Sequence, residues 1–179
     1  EKYGLDNVAF HSDTFTVNRN GVIDLCRKLP KGTRWVCNSR VDTVDPELLR
    51  IMRDSGCWMI CYGIESGNNR VLQMNEKGNG GTVENAEKAV RWAKEAGIKV
   101  WGYFMLGMYG DDIESMEDTL SLSKMLPCDI VNYALAAPYP GTKWGRIAQD
   151  TVGSPTLLGA RLTKTSQPLS TNLAAPTNR

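Results

Sequence analysis

Histidine is almost absent from this chain, since His11 is the only one among 179 residues. A Ser–His–Asp triad or a metal site built from several histidines is therefore nearly excluded. Charge of one sign is lacking too, because 21 Lys and Arg face 20 Asp and Glu and the net charge is +1. We expect neither a nucleic acid nor an anionic membrane surface as a partner, since both select strongly basic proteins.

Long apolar runs and a recognisable leader are lacking as well. No apolar run approaches the roughly 20 residues of a membrane-spanning helix. The first ten residues, EKYGLDNVAF, do not contain the extended apolar region of a signal peptide. Five cysteines are an odd count in a chain too long to depend on disulfide bonds. These features predict a cytoplasmic protein without a membrane span.

The composition changes near residue 150. Residues 151–179 contain no aromatic, acidic or cysteine residue and are rich in Ser, Thr, Pro and Ala. Such a segment buries too little apolar surface to offset the entropy lost when it is ordered. We therefore predict one domain over residues 1–150, with a net charge of about −2, and a disordered or foreign tail over residues 151–179.

Residues 1–150 alternate between apolar runs and helical patterns. The runs predict five strands: Asn7–Phe10, Arg34–Cys37, Trp58–Ile64, Ile98–Leu106 and Ile130–Ala136. Continuous apolar runs are typical of parallel strands that are buried on both faces. The order predicts either part of a β/α barrel or an open doubly wound sheet, because a complete barrel of eight units needs about 250 residues.

Polar residues follow these strands at their carboxyl ends, where active sites of such folds lie. Asp13 follows the first strand, and its carboxylate can bind a ligand ammonium or stabilise a turn. Arg40 follows the second strand, and its guanidinium can bind a ligand carboxylate or pair with Asp42 or Asp45. The sequence therefore predicts a ligand site at this edge of the sheet.

The third strand ends in the strongest polar signal, Glu65–Asn68 (ESGN). A carboxylate directly after a buried strand needs a partner. Ribose hydroxyls are suitable donors, and capping of the next helix is the alternative role of Glu65.

The fourth strand leads into GYFMLGMYGDD, which lacks the GxGxxG spacing and the lysine of a phosphate loop. Its glycines suit close backbone approach to a flat apolar ligand such as adenine. After the last strand, Pro138–Gly141 (PYPG) forms a rigid turn, which is either a simple turn or part of the same pocket.

The cysteines do not form a recognisable metal motif. Cys57 and Cys61 lack the third cysteine of a CxxxCxxC iron–sulfur motif, because Ile64 stands at that position. Free cysteine is a common small core residue, and we interpret all five in this way.

Five segments follow one another along the chain: FHSDTFTVNR, WVCNSRVDTVDPELL, GCWMICYGIESGNNRVL, AGIKVWGYFMLGMYGDD and AAPYPGTKW. In this order they resemble the radical S-adenosylmethionine (SAM) superfamily, and within it the class that often carries a cobalamin-binding domain upstream. The resemblance covers about residues 5–147. It implies an α/β fold, a partial (β/α)6 barrel of the TIM type. Strands 2–6 of that barrel would be present, and the first strand, with its CxxxCxxC loop, would be missing.

The resemblance also implies the chemistry. In the family, a [4Fe–4S] cluster held by those three cysteines cleaves SAM by one-electron reduction, and the 5′-deoxyadenosyl radical abstracts hydrogen from the substrate. The cluster ligands would lie outside this chain, and an upstream domain would bind cobalamin. A small-molecule substrate and an electron donor such as flavodoxin or ferredoxin are the implied partners.

The cofactor contacts that the resemblance implies involve nine residues, and none of them is a catalytic residue or a metal ligand. Asp13 would contact the methionyl ammonium, Arg40 the methionyl carboxylate, Glu65 and Ser66 the ribose, and Phe104, Leu106 and Gly107 the adenine, with Pro138 and Tyr139 closing that side.

Three functions follow as hypotheses. The first is the catalytic barrel of a radical SAM enzyme, used for cobalamin-dependent methyl transfer, a ring-forming rearrangement or the related methylthiolation. The second is a non-catalytic truncation, or a SAM-binding module without the cluster. The third, a β/α-barrel hydrolase or aldolase, lacks the histidine–carboxylate metal site or activated lysine that such enzymes need.

Overall fold

The computed structural model describes residues 7–75 and 80–152, and a five-stranded parallel sheet forms its centre. The strands are β1 (Asn7–Phe10), β2 (Arg34–Ser39), β3 (Cys57–Glu65), β4 (Lys99–Leu106) and β5 (Ile130–Leu135). The helices are α1 (Arg19–Lys28), α2 (Pro46–Asp54), α3 (Asn69–Met74), α4 (Val83–Glu95), α5 (Ile113–Met125) and α6 (Lys143–Val152).

The strands lie side by side in chain order from β1 to β5, and every neighbouring pair is parallel. The predicted α/β fold with five successive strand–helix units is confirmed. An open doubly wound sheet contains a point where the strand order reverses, and this sheet has none among the described residues. The continuous order is that of a barrel segment.

Side-chain caps begin α2 and α4, two of these helices. The Asp45 carboxylate accepts a hydrogen bond from the Leu48 N–H at 2.9 Å, with Pro46 in the first turn of α2. The Thr82 hydroxyl accepts from the Asn85 N–H at 3.2 Å and begins α4. The Asp45 cap thus sets the end of the loop between β2 and α2.

Among the described residues of the first unit, a hydrophobic core lies between the sheet and helices α1, α2, α4 and α5. Its largest side chains, Trp35, Tyr62 and Phe104, are at most 1% exposed. All five cysteines are free; four are buried and Cys128 is half-buried, which agrees with their interpretation as core residues.

Gly56 permits the tight connection between α2 and β3. Its φ is +103°, and a Cβ at this position would lie 1.8 Å from the Thr33 carbonyl oxygen. Only glycine avoids both the backbone strain and the steric clash.

The contacts divide the chain into residues 1–137 and a unit that begins at Pro138. Within the second unit, the Thr142 hydroxyl donates to the Tyr139 carbonyl at 2.7 Å just before α6. The domain boundary near residue 150 and the tail over residues 151–179 stay predictions, because the residues after 152 lie outside the described ones. Across residues 7–75 and 80–152, no helix combines the length and apolarity needed to cross a bilayer.

Candidate functional site

Two of the residues predicted from the sequence, Arg40 and Glu65, lie near each other at the carboxyl edge of the sheet. Glu65 ends β3, and Arg40 directly follows β2, the parallel neighbour of β3. A hydrogen bond with Asp42, and to a smaller extent the charge of Glu65, raise the pKa of the Arg40 guanidinium above its usual value. The edge therefore carries a cation beside an anion.

The backbone of Glu65 is strained. Its φ is +71°, and it is the one non-glycine residue with a positive φ among those the structure describes. The Ser66 N–H donates to the Ile64 carbonyl at 3.0 Å, so the three residues form a γ-turn of the rare positive-φ kind. Such a conformation costs on the order of 1–3 kcal/mol and persists only where its surroundings impose it, often at functional sites.

A shift in strand register precedes this turn. Gly63 pairs with Tyr103, whereas Glu65 pairs with Phe104, so that β3 contains one extra residue, Ile64, relative to β4. Bulges of this kind change the direction of the side chains that follow them. The bulge and the γ-turn together set the position of the Glu65 carboxylate.

Helix capping, the alternative role of Glu65, is performed by Asn68. The Asn68 side-chain oxygen accepts from the Arg70 N–H at 3.1 Å and from the Val71 N–H at 3.4 Å, at the start of α3. Capping of α3 therefore does not explain why Glu65 has a strained conformation.

Ser66 is the last residue of the turn and is 0% exposed. Its hydroxyl pairs with the Thr119 hydroxyl at 3.3 Å and accepts from the Asn68 N–H at 3.1 Å. In this arrangement the side chain of Ser66 ties the turn to α5. The ribose contact expected of Ser66 stays a prediction.

Arg40 forms an ion pair with Asp42, the pairing that the sequence offered as an alternative. Nε lies 2.8 Å from Oδ1 and Nη2 lies 2.7 Å from Oδ2. Gly80 packs so tightly against Asp42 that a Cβ there would lie 1.9 Å from the carboxylate. Asp42 therefore orients the guanidinium without removing it from the edge.

The three residues predicted to line adenine lie in different environments. Phe104 packs in the core, with its ring centroid 5.8 Å from that of Tyr133, so only its backbone can reach a ligand at the edge. Leu106 is half-buried at the end of β4. Gly107 has a φ of +76° and no atom within 4 Å of a Cβ built on it, so the chain opens onto free space there.

Arg70, which the sequence analysis missed, holds the loop after β4. Its guanidinium donates to the Gly110 carbonyl at 2.9 Å and to the Asp112 carboxylate at 2.8 Å. Within the loop, the Asp111 carboxylate accepts from the Met108 N–H at 2.8 Å. A lone arginine on a short helix has no signature in the sequence, so no local signal could have identified it.

The ligand contacts expected of three further residues stay predictions: those of Asp13, Pro138 and Tyr139. Asp13 is exposed after β1. Tyr139 is 70% exposed and belongs, with Pro138, to the second unit.

The cysteines do not fit an iron–sulfur cluster. Within residues 7–75 and 80–152, no group of three or more His, Cys, Asp or Glu side chains is placed to hold a metal ion. Burial raises the pKa of the Cys128 thiol to about 11, and a hydrogen bond with Cys57 together with burial raises that of Cys37 further. Raised pKa values of this kind are typical of thiols buried in a core.

The fold is that of a parallel β/α-barrel segment with polar residues at the carboxyl ends of its strands. The sequence profile of the Radical SAM superfamily matches residues 1–123. The chain belongs to this superfamily.

Curated relatives are similar over most of the chain. A protein described as an uncharacterized methyltransferase from Pyrococcus horikoshii is 32% identical over 145 residues, which are 79% of this chain and 31% of that protein. The anaerobic magnesium-protoporphyrin IX monomethyl ester cyclase of Rubrivivax gelatinosus is 28% identical over 130 residues, 70% of this chain and 23% of the cyclase. The chain thus spans a third or less of the length of these relatives.

Among solved structures, the radical SAM methyltransferase TsrM from Kitasatospora setae, with cobalamin and a [4Fe–4S] cluster bound, is similar with a TM-score of 0.75. The match covers 83% of this chain and 29% of TsrM at 19% identity. The likeness confirms the partial-barrel fold.

Proposed function

We propose that this chain is the SAM-binding part of a radical SAM enzyme that uses cobalamin for methyl transfer or for a ring-forming rearrangement. The observation that carries the proposal is the strained Glu65 turn beside Arg40 at the carboxyl ends of adjacent strands. Relatives named as a methyltransferase and as a cyclase support the two reaction types.

The order of groups along the edge matches the order of groups in SAM. Arg40 after β2 suits the methionyl carboxylate, Glu65 on β3 suits the ribose hydroxyls, and the opening at Gly107 after β4 suits the adenine ring. Asp13 follows β1, the neighbour of β2, and suits the ammonium group, which is attached to the same carbon as the carboxylate. Neighbouring strands lie about 4.8 Å apart, so four strand ends in sequence can follow one extended molecule.

The residues present fit SAM, and the described cysteines do not fit the cluster. A [4Fe–4S] cluster, held by residues other than these, would supply the electron that cleaves the sulfonium C–S bond. The part of this chain is to bind SAM, to orient it and to exclude water.

The first test is SAM affinity in the full-length protein, measured anaerobically by calorimetry. Glu65→Ala removes the acceptor of the ribose hydroxyls and should weaken binding by about 1–3 kcal/mol, roughly 5- to 150-fold in Kd. Glu117→Ala removes an exposed carboxylate from α5 and should leave Kd unchanged. An unchanged Kd for Glu65→Ala removes Glu65 from the site.

A second measurement separates the enzyme from a SAM-binding module. The full-length protein, with its cluster reconstituted and reduced, is incubated with SAM with and without cobalamin, and the products are analysed by mass spectrometry. An enzyme yields 5′-deoxyadenosine, and S-adenosylhomocysteine when methyl transfer occurs. Tight SAM binding without either product would favour the non-catalytic alternative.

A further inference from the structure

Thr119 lies in the middle of α5, in contact with the residues that follow Glu65, and is 0% exposed. Its hydroxyl donates to the Ser115 carbonyl at 3.0 Å and accepts from the Gly67 N–H at 2.9 Å. It also pairs with the Ser66 hydroxyl at 3.3 Å. Because its one proton goes to the Ser115 carbonyl, Ser66 is the donor in this third bond.

The neighbouring residue of α5 holds the same turn. The Asn68 side-chain amide donates to the Asp118 carboxylate at 2.8 Å. A Cβ on Gly67 would lie 2.4 Å from the Asp118 carbonyl oxygen, so the turn and the helix backbone are in direct contact. One helix therefore holds the whole segment that follows Glu65.

A purely structural role accounts for only part of this arrangement. A threonine inside a helix commonly donates to the carbonyl four residues earlier, which satisfies its own hydroxyl. That explains the bond to Ser115 but not the two bonds that Thr119 accepts from Gly67 and Ser66. Threonine is also a weaker helix former than alanine, so helix formation does not explain this residue.

We propose that Thr119 is a positioning residue for SAM, and this inference rests on the proposed function. Through Ser66 and Gly67, Thr119 holds Glu65 in the positive-φ conformation that presents its carboxylate to the ribose. A strained residue keeps its conformation only while its neighbours impose it. Without the Thr119 hydroxyl, Glu65 can relax to negative φ and move its carboxylate away.

The test uses the full-length protein and three variants of buried hydroxyls. Thr119→Val keeps the side-chain shape and leaves the Ser66 and Gly67 donors unpaired, which should raise the Kd for SAM about tenfold. Thr119→Ser retains the hydroxyl and should restore binding. Ser123→Ala is the matched control, because Ser123 is a buried hydroxyl of α5 that bonds to Leu120 and Tyr133, away from the turn.

Amide hydrogen exchange gives a readout that does not depend on SAM. Exchange in the peptide that contains residues 64–68 should be faster in Thr119→Val and unchanged in Ser123→Ala. If Thr119→Val does not fold, Ser66→Ala takes its place; it removes the Ser66–Thr119 bond, leaves the Gly67 bond, and should give the same changes to a smaller extent.

The outcomes separate this inference from the proposed function. Weaker binding and faster exchange in Thr119→Val, with both restored in Thr119→Ser, support it. If Glu65→Ala weakens SAM binding but folded Thr119→Val binds like the wild type, the positioning role is wrong and the proposed function stands. If the wild type does not bind SAM, both are wrong.

Discussion

At the scale of single residues, the proposed SAM site includes a strained backbone at Glu65. A non-glycine residue at φ +71° costs stability, and the surrounding hydrogen bonds keep it there. Glycine would adopt this φ without the strain. The presence of a carboxylate at such a site is the physical reason to assign Glu65 a function.

The strain predicts a difference between two substitutions of Glu65. Glu65→Gly removes the strain and Glu65→Ala keeps it, while both remove the carboxylate. We expect the glycine variant to be more stable than the alanine variant by about 1 kcal/mol, after allowance for the greater entropy of glycine in the unfolded chain. Urea unfolding of both variants measures the difference, and a more stable alanine variant contradicts the strain.

At the scale of elements, the sequence predicted the strands well because their signals are local. Apolar runs indicate buried strands, and Asp45 and Thr82 cap helices through bonds to residues three positions away. The environments of Ser66 and Phe104 could not be predicted, because contacts with α5 and β5 decide them and no local pattern encodes such contacts.

Two glycines with positive φ provide a matched prediction about the loops. Gly56→Ala would place a Cβ 1.8 Å from the Thr33 carbonyl oxygen, whereas Gly32→Ala, at φ +87°, has no atom within 4 Å of its new Cβ. We expect Gly32→Ala to cost about 1–2 kcal/mol from strain alone and Gly56→Ala clearly more. Equal losses in thermal unfolding would show that the connection between α2 and β3 has room to move.

At the scale of the whole molecule, Asp129 connects α4, β4 and the start of β5. Its carboxylate accepts from the Lys94 ammonium at 2.7 Å and from the Val100 N–H at 2.8 Å. Burial opposes its ionisation, but these bonds and the nearby positive charges outweigh burial and hold the pKa of Asp129 below its usual value.

This lowered pKa predicts a pH dependence. A carboxyl whose pKa is lower in the folded state stabilises the fold above its unfolded pKa of about 3.9, and this contribution is lost as the pH falls through the folded value. Asp129→Asn should therefore lower stability at pH 7 and reduce the loss of stability below about pH 4. Urea unfolding between pH 2 and pH 7 measures both effects, and parallel curves for wild type and variant would contradict the prediction.

The central claim is that the Glu65 carboxylate binds the ribose hydroxyls of SAM. The most direct test is a thermodynamic cycle in the full-length protein, with SAM and its 2′-deoxy and 3′-deoxy analogues, each bound to wild type and to Glu65→Ala. We expect removal of the contacted hydroxyl to weaken binding to the wild type roughly tenfold and to Glu65→Ala hardly at all. Equal losses in both proteins, for both hydroxyls, would show that Glu65 does not contact the ribose.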